Sequence, residues 1–244
     1  MTDNGRDLPN VQRAHWEHTY AAHPGMYGQE PSAPAVHAAT VFHAAGAGDV
    51  LELGAGHGRD ALYFAREGFA VRATDFSATG LEQLSAAARA QGVAERVTTS
   101  VLDVRAPLPL PDASVDAVFA HMLLCMALST EEIHALVGEV RRVLRAGGVF
   151  VYTVRHTGDA HYGAGVVHGD DTFEHGGFAV HFFSRRLVDD LADGWNLVEV
   201  HPSRKANSHD ACGGSPRPCH ADQARGRPAA GDLLPSCHGP VMGP

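Results

Sequence analysis

An α/β fold, built on a doubly wound and mostly parallel sheet, is predicted by three observations. Short apolar runs alternate with helical patterns along the chain. The runs are apolar at consecutive positions, as strands covered on both faces are. An acidic residue ending the first run leads into Gly-x-Gly-x-Gly and then a helical pattern, the order of a strand, a tight turn and a helix that together receive a ligand.

The strands are expected at Asp49–Leu53, Ala70–Ala73, Arg96–Val101, Val115–Ala120, Gly148–Val154 and Asn196–Val200. Helices are expected between most of them. Residues 58–67 place Ala61, Leu62, Phe64 and Ala65 on nearby faces, and Ser77–Ala90 is rich in Ala and Leu with Ser77 as N-cap. Thr130–Arg145 carries Ile133, Leu136, Val137, Val140 and Leu144 at helical spacing, with Ser129 or Thr130 capping and Gly147 ending it. Two more helices are expected before the sheet, near residues 10–20 and 32–44. The domains predicted are an N-terminal helical segment or lid over 1–45, a ligand-binding domain over 46–204, and a disordered tail over 205–244.

A chain of 244 residues with 44% apolar and 19% charged residues can bury one sizeable core. The net charge is -9 and Lys and Arg form no stripe, which weighs against nucleic acid or an anionic membrane as partner. No apolar run approaches the ~20 residues of a membrane span. Residues 1–10 are polar and show no signal-peptide core, so a cytoplasmic place is expected. Of four cysteines only Cys125 precedes residue 205; no disulfide framework is expected.

The turn Leu51-Glu52-Leu53-Gly54-Ala55-Gly56-His57-Gly58-Arg59-Asp60 is the most informative stretch. Its glycines let the backbone bend sharply and let a ligand approach without Cβ clashes. The Glu52 carboxylate is placed to receive an ammonium group. A dinucleotide fingerprint would need a third glycine where Arg59 stands. Downstream, Asp75 ends the second strand, where an acid can hold both ribose hydroxyls or cap the next helix. Asp103 follows the third strand, where it can accept from an adenine amino group while Val104 covers the ring.

In that order and spacing, residues 49–154 resemble the class I S-adenosylmethionine (SAM) dependent methyltransferases, which have a Rossmann-like fold. The resemblance makes Glu52, Gly54, Ala55, Gly56, Asp60, Asp75, Phe76, Asp103, Val104 and His121 the expected SAM contacts. The stretches Gly56–Asp60, Tyr152–Arg155, Ala160–Gly163 and Gly177–Ser184 resemble, within that superfamily, the tellurite-resistance-type branch. The implied reaction moves a methyl group from SAM to a small-molecule acceptor, such as a chalcogen oxyanion, a thiol or another soft nucleophile. In-line displacement at a sulfonium asks for near-attack geometry and exclusion of water, not a metal. Acceptor-side residues should come from the loops after strands four and five, and Arg155 and His156 are the catalytic candidates. Arg155 can equally be a structural ion-pair partner and His156 a solvated loop residue. Trp16, Tyr20 and Tyr27 can form a lid, or ordinary packing. Five histidines (His156, His161, His168, His175 and His181) share one loop region, but their spacings match no standard zinc pattern, so no metal is expected.

From Lys205 the character changes: Gly and Pro make 12 of the last 40 residues, with no Phe, Trp or Tyr. The family closes its sheet with a further antiparallel strand beside the fifth, preceded by acidic–Gly–x–Leu–Pro–Arg–Arg–Leu–aromatic–x–Val. Nothing in frame matches. With G/C-rich codons, residues 205–220 read one base earlier can encode Glu-Gly-Glu-Leu-Pro-Arg-Arg-Leu-Trp-Arg-Val. A frameshift near residues 201–205 and a missing final strand are therefore expected. A SAM-binding protein with impaired or no catalysis is the alternative function.

Overall fold

The computed structural model describes residues 8–200 and 241–243. Two helices, α1 (Leu8–Ala22) and α2 (Ala33–Ala44), precede the sheet. Then come β1 (Asp49–Leu53), α3 (Arg59–Arg66), β2 (Ala70–Asp75), α4 (Ala78–Ala90), β3 (Val97–Val101), β4 (Val115–His121), α5 (Thr130–Val143) and β5 (Leu144–Thr153). A small antiparallel sheet follows, formed by β6 (Val166–Gly169), β7 (Thr172–His175) and β8 (Phe178–His181). The chain continues through α6 (Arg185–Leu191), β9 (Asn196–Glu199) and β10 (Val241–Gly243).

The main sheet has the order β3-β2-β1-β4-β5-β10-β9. Its first five strands pair in parallel, and β10 is antiparallel to β5 and β9. The chain starts at the centre, steps outward to β3, then crosses back to β4. The carboxyl ends of β1 and β4 therefore flank a switch point, where ligands bind in open α/β sheets. The alternation of side chains along β1 divides the core: Val50 faces Phe42, Phe64 and Phe69, while Leu51 and Leu53 face Val118, Ile133 and Val140. Polar caps set the helix starts. Ser77 Oγ accepts from Gly80 N–H, and Ser129 and Glu132 form a reciprocal capping box. No helix among the described residues is long and apolar enough to cross a membrane.

Three expectations need correction. The final antiparallel strand is present: Val241 and Met242 pair with Val151 and Phe150 on one side and with β9 on the other. The tail was expected to lack regular structure because it is rich in Gly and Pro. Composition does not register the backbone groups that β5 and β9 present to the space between them, and three residues suffice to pair with these. The stretch matched to the shifted frame, residues 205–220, lies outside the described residues. The histidine-bearing region is not one loop, since it holds β6, β7 and β8. Finally, α5 ends at Val143, earlier than expected, because Leu144 already pairs with Val115.

Candidate active site

Glu52 is the penultimate residue of β1, 3% exposed, and its Oε2 has no hydrogen-bond partner among the described residues. Burial pushes its carboxyl well above the usual carboxylate range. The neighbouring Asp60 charge adds to this, Arg59 opposes it, and Asp75 adds again. A buried, unpartnered acceptor is costly unless a ligand completes it. At the end of β2, Asp75 Oδ2 accepts from Gly56 N–H at 2.8 Å and Oδ1 from Ser77 N–H at 2.8 Å. Its burial raises the carboxyl, and those backbone bonds pull it back.

The turn between β1 and α3 requires glycine for close approach. Gly56 has φ +55°, and a Cβ there would collide with Tyr20 Oη; a Cβ on Gly54 would stand 3.0 Å from Leu123 Cδ1. Tyr20 belongs to α1, where Trp16 stacks on it with ring centroids 5.5 Å apart. Tyr27, from the following loop, stacks on His57 at 5.6 Å with an interplanar angle of 14°, and its N–H reaches His57 Nε2 at 3.4 Å. The Arg59 guanidinium lies 5.7 Å from the centre of the Tyr27 ring. Burial lowers the His57 imidazole and pushes the Tyr27 hydroxyl up to about 12.

Asp60 ties the segment before α2 to α3. Its carboxylate accepts from Ser32 N–H at 2.7 Å, from Ser32 Oγ at 2.8 Å and from Arg59 Nε at 3.1 Å. On the other side of the cleft β4 ends in His121, whose Nδ1 lies 2.7 Å from Thr153 Oγ1 on β5. The next residue, Met122, has φ +58° and donates its N–H to Thr153 Oγ1 at 3.0 Å. A left-handed non-glycine residue is held by its surroundings and is common at functional sites.

Together these residues enclose a cavity of about 260 Å³. Of the expected SAM contacts, Glu52, Gly54, Ala55, Gly56, Asp60, Asp75, Phe76 and His121 line it, and so do Trp16, Tyr20 and Tyr27. Asp103 and Val104 are not among its lining residues. The Asp103 carboxylate is gripped by Arg105 through Nε and Nη2, which holds it below the usual carboxylate range. Arg155 and His156 also lie outside the lining. Arg155 is buried, pairs with Asp159 at 3.2 Å and lines a much smaller cavity with His161 and Phe178. His156 is half-buried and its Nδ1 accepts from Gly158 N–H at 3.0 Å.

Sequence reasoning missed Ser32, His57, Arg59, Met122, Leu123, Met126 and Thr153. His57 and Arg59 stand inside the glycine-rich turn, so adjacency was their signal. The others have no local signal. Ser32 reaches the site through its bonds to Asp60, and Met122, Leu123, Met126 and Thr153 because β4 lies beside β1 and β5 beside β4.

A family model described as "Methyltransferase domain" matches residues 50–148, the stretch from β1 to β5 that carries the glycine-rich turn and Asp75. Over those residues the chain is similar to methyltransferase domains. The chain is 37% identical over 103 residues to phosphoethanolamine N-methyltransferase 1 of Triticum aestivum. That match covers 41% of this chain, which spans only about a fifth (20%) of that relative. Its fold resembles the CcbJ methyltransferase from Streptomyces caelestis, with 25% identity and TM-score 0.60 over 76% of this chain and 87% of that one. It also resembles the Burkholderia thailandensis 1,6-didemethyltoxoflavin-N1-methyltransferase, solved with 1,6-didemethyltoxoflavin and S-adenosylhomocysteine. There the identity is 21% and the TM-score 0.65, over 99% of this chain and 90% of that one. SAM is the cofactor of this fold, and the buried unpartnered Glu52 oxygen beside the Gly54–Gly56 cradle fits its ammonium and methionine part.

Proposed function

We propose that the protein transfers a methyl group from SAM to a small molecule seated between α1 and the ends of β4 and β5. The Glu52 carboxylate carries this reading: a buried acceptor without a protein partner opens into a cavity that continues to His121 and Met122. Glu52 receives the ammonium of SAM, Asp75 the ribose hydroxyls, and Phe76 packs beside them. Bound there, SAM supplies a methyl group on a sulfonium, and the protein's work is to orient the acceptor and exclude water. Trp16, Tyr20 and Tyr27 close the cleft.

Three carboxylates (Glu52, Asp60 and Asp75) line the cavity against one guanidinium, Arg59, which is paired with Asp60. With Arg59 engaged, the lining suits a thiol or another neutral nucleophile better than an oxyanion. Arg155, in its ion pair behind the cavity, acts as a structural residue of the β5 loop. The non-catalytic alternative rested on a missing last strand, and Val241–Gly243 occupies that place.

Calorimetry with S-adenosylhomocysteine, beside an assay of its release from SAM across an acceptor panel, tests the reading. Binding with turnover is expected. A folded sample that binds neither SAM nor S-adenosylhomocysteine overturns it.

A further inference from the structure

Resting on the methyl-transfer reading above, we infer that His121, positioned by Thr153, is the general base, and that the acceptor is an uncharged aromatic molecule bearing an N–H or O–H. The cavity divides by strand. Its β1 and β2 side carries Glu52 and Asp75, the polar groups that suit SAM. Its β4 side carries Met122, Leu123 and Met126, facing Trp16 and Tyr20 of α1. Thioethers and aromatic rings form a surface for a flat apolar body, and Arg59, the guanidinium of the lining, is already paired with Asp60.

His121 is the titratable side chain that β4 contributes to this half. Thr153 Oγ1, 2.7 Å from Nδ1, also accepts the Met122 N–H. The hydroxyl thus fixes the ring against the strained turn that carries Met122, whose successor Leu123 packs over Gly54. In the tautomer whose Nδ1–H donates to Thr153 Oγ1, Nε2 is the nitrogen that takes the proton. An aromatic N–H or O–H is a poor nucleophile while protonated, so a base within reach contributes directly to the rate.

The step balances. The acceptor's proton passes to His121 Nε2, and the electron pair left on nitrogen or oxygen bonds the methyl carbon. The sulfur–methyl bond breaks with its electrons kept on sulfur. The methylated acceptor, S-adenosylhomocysteine and an imidazolium result, and the imidazolium returns its proton to water. The titratable groups sharing the cavity with His121 are Glu52 on β1, Asp75 on β2, Arg59 and Asp60 on α3, His57 in the glycine-rich turn, Tyr20 on α1 and Tyr27 in the loop after it. Burial keeps the Tyr20 hydroxyl protonated.

The test uses the full chain with SAM and four probes: 4-methoxyphenol, indazole, sodium selenite and sodium tellurite. Turnover of 4-methoxyphenol or indazole and not of the oxyanions is expected. For the accepted probe, kcat/KM should rise with pH through one ionisation. His121→Asn should lose that limb and at least about 100-fold in kcat, a loss well beyond any change in S-adenosylhomocysteine affinity measured by calorimetry. Thr153→Val should shift the limb, and Thr153→Ser should restore it. An NMR titration gives a readout without turnover: the His121 ring signal should move when the probe is added to the S-adenosylhomocysteine complex. Turnover of selenite or tellurite alone overturns the acceptor class, and an unchanged pH limb in His121→Asn overturns the base. Loss of S-adenosylhomocysteine binding by the unaltered chain fails the methyl-transfer reading itself, which separates the two.

Discussion

Glu52 combines two demands that oppose each other. Without a ligand its carboxyl is buried and held well above its ordinary value of 4.5, chiefly by desolvation. An acid whose folded-state value is raised stabilises the fold fully below its unfolded value, and that contribution is lost as pH rises through the folded value. The window therefore opens above 4.5. Glu52→Gln should raise the melting temperature of the ligand-free protein at pH 8 and leave it nearly unchanged at pH 4, as thermal denaturation at the two values will show. The same substitution should weaken S-adenosylhomocysteine by about 1–3 kcal/mol in calorimetry, the scale of a lost charge-assisted bond. Gains in both stability and affinity would remove Glu52 from the site. For Asp103 the expectation differs from the family pattern. Arg105 already grips its carboxylate, so Asp103→Asn should change affinity less than Asp75→Asn does in the same titration.

Between elements, the Ser32–Asp60 contact joins the lid to the sheet. Ser32 caps α2 through Ala35 N–H and gives its own N–H and hydroxyl to the Asp60 carboxylate on α3. Ser32→Ala removes the cap and one of those bonds, which should cost about 1–2 kcal/mol in denaturant unfolding. It should also weaken S-adenosylhomocysteine, because Tyr27 enters the site from the loop that Ser32 ends. A stability loss with ligand affinity intact would make the contact purely architectural. Arg155 lies on the element that follows β5. Its ion pair with Asp159 is nearly inaccessible, with side chains 4% and 5% exposed. Removing one partner of a buried pair strands the other. Arg155→Ala should therefore lower the melting temperature markedly and leave the KM for SAM near its original value.

At the scale of the whole molecule, three residues close the sheet. Val241–Gly243 stands between β5 and β9, and without it both strands present unpaired backbone groups. A chain ending at residue 240 should lose a few kcal/mol, or roughly 5–15 °C in melting temperature, since each pairing bond is worth about 1 kcal/mol. Differential scanning calorimetry of the two versions checks this. A third version, read in the other frame from residue 201, tests the frameshift expectation: a melting point above that of the chain as it stands supports it, and one below counts against it.

The sequence by itself determined the parallel sheet, the order of its first five strands' elements and the half of the site that holds Glu52, Gly54, Gly56 and Asp75. It could do so because those features are local. Apolar runs report burial, caps report helix starts, and a glycine-rich turn carries its ligand geometry within a few consecutive residues. Only the tertiary structure decided the rest. Met122, Met126 and Thr153 gain their meaning from the crossover that sets β4 against β1 and β5 against β4. Arg155 and His156, adjacent to the right strand, point to other partners because the chain after β5 folds into a separate small sheet. The last strand was invisible for the same reason: pairing depends on the backbone groups its neighbours leave open, and these leave no trace in the composition of the segment that answers them.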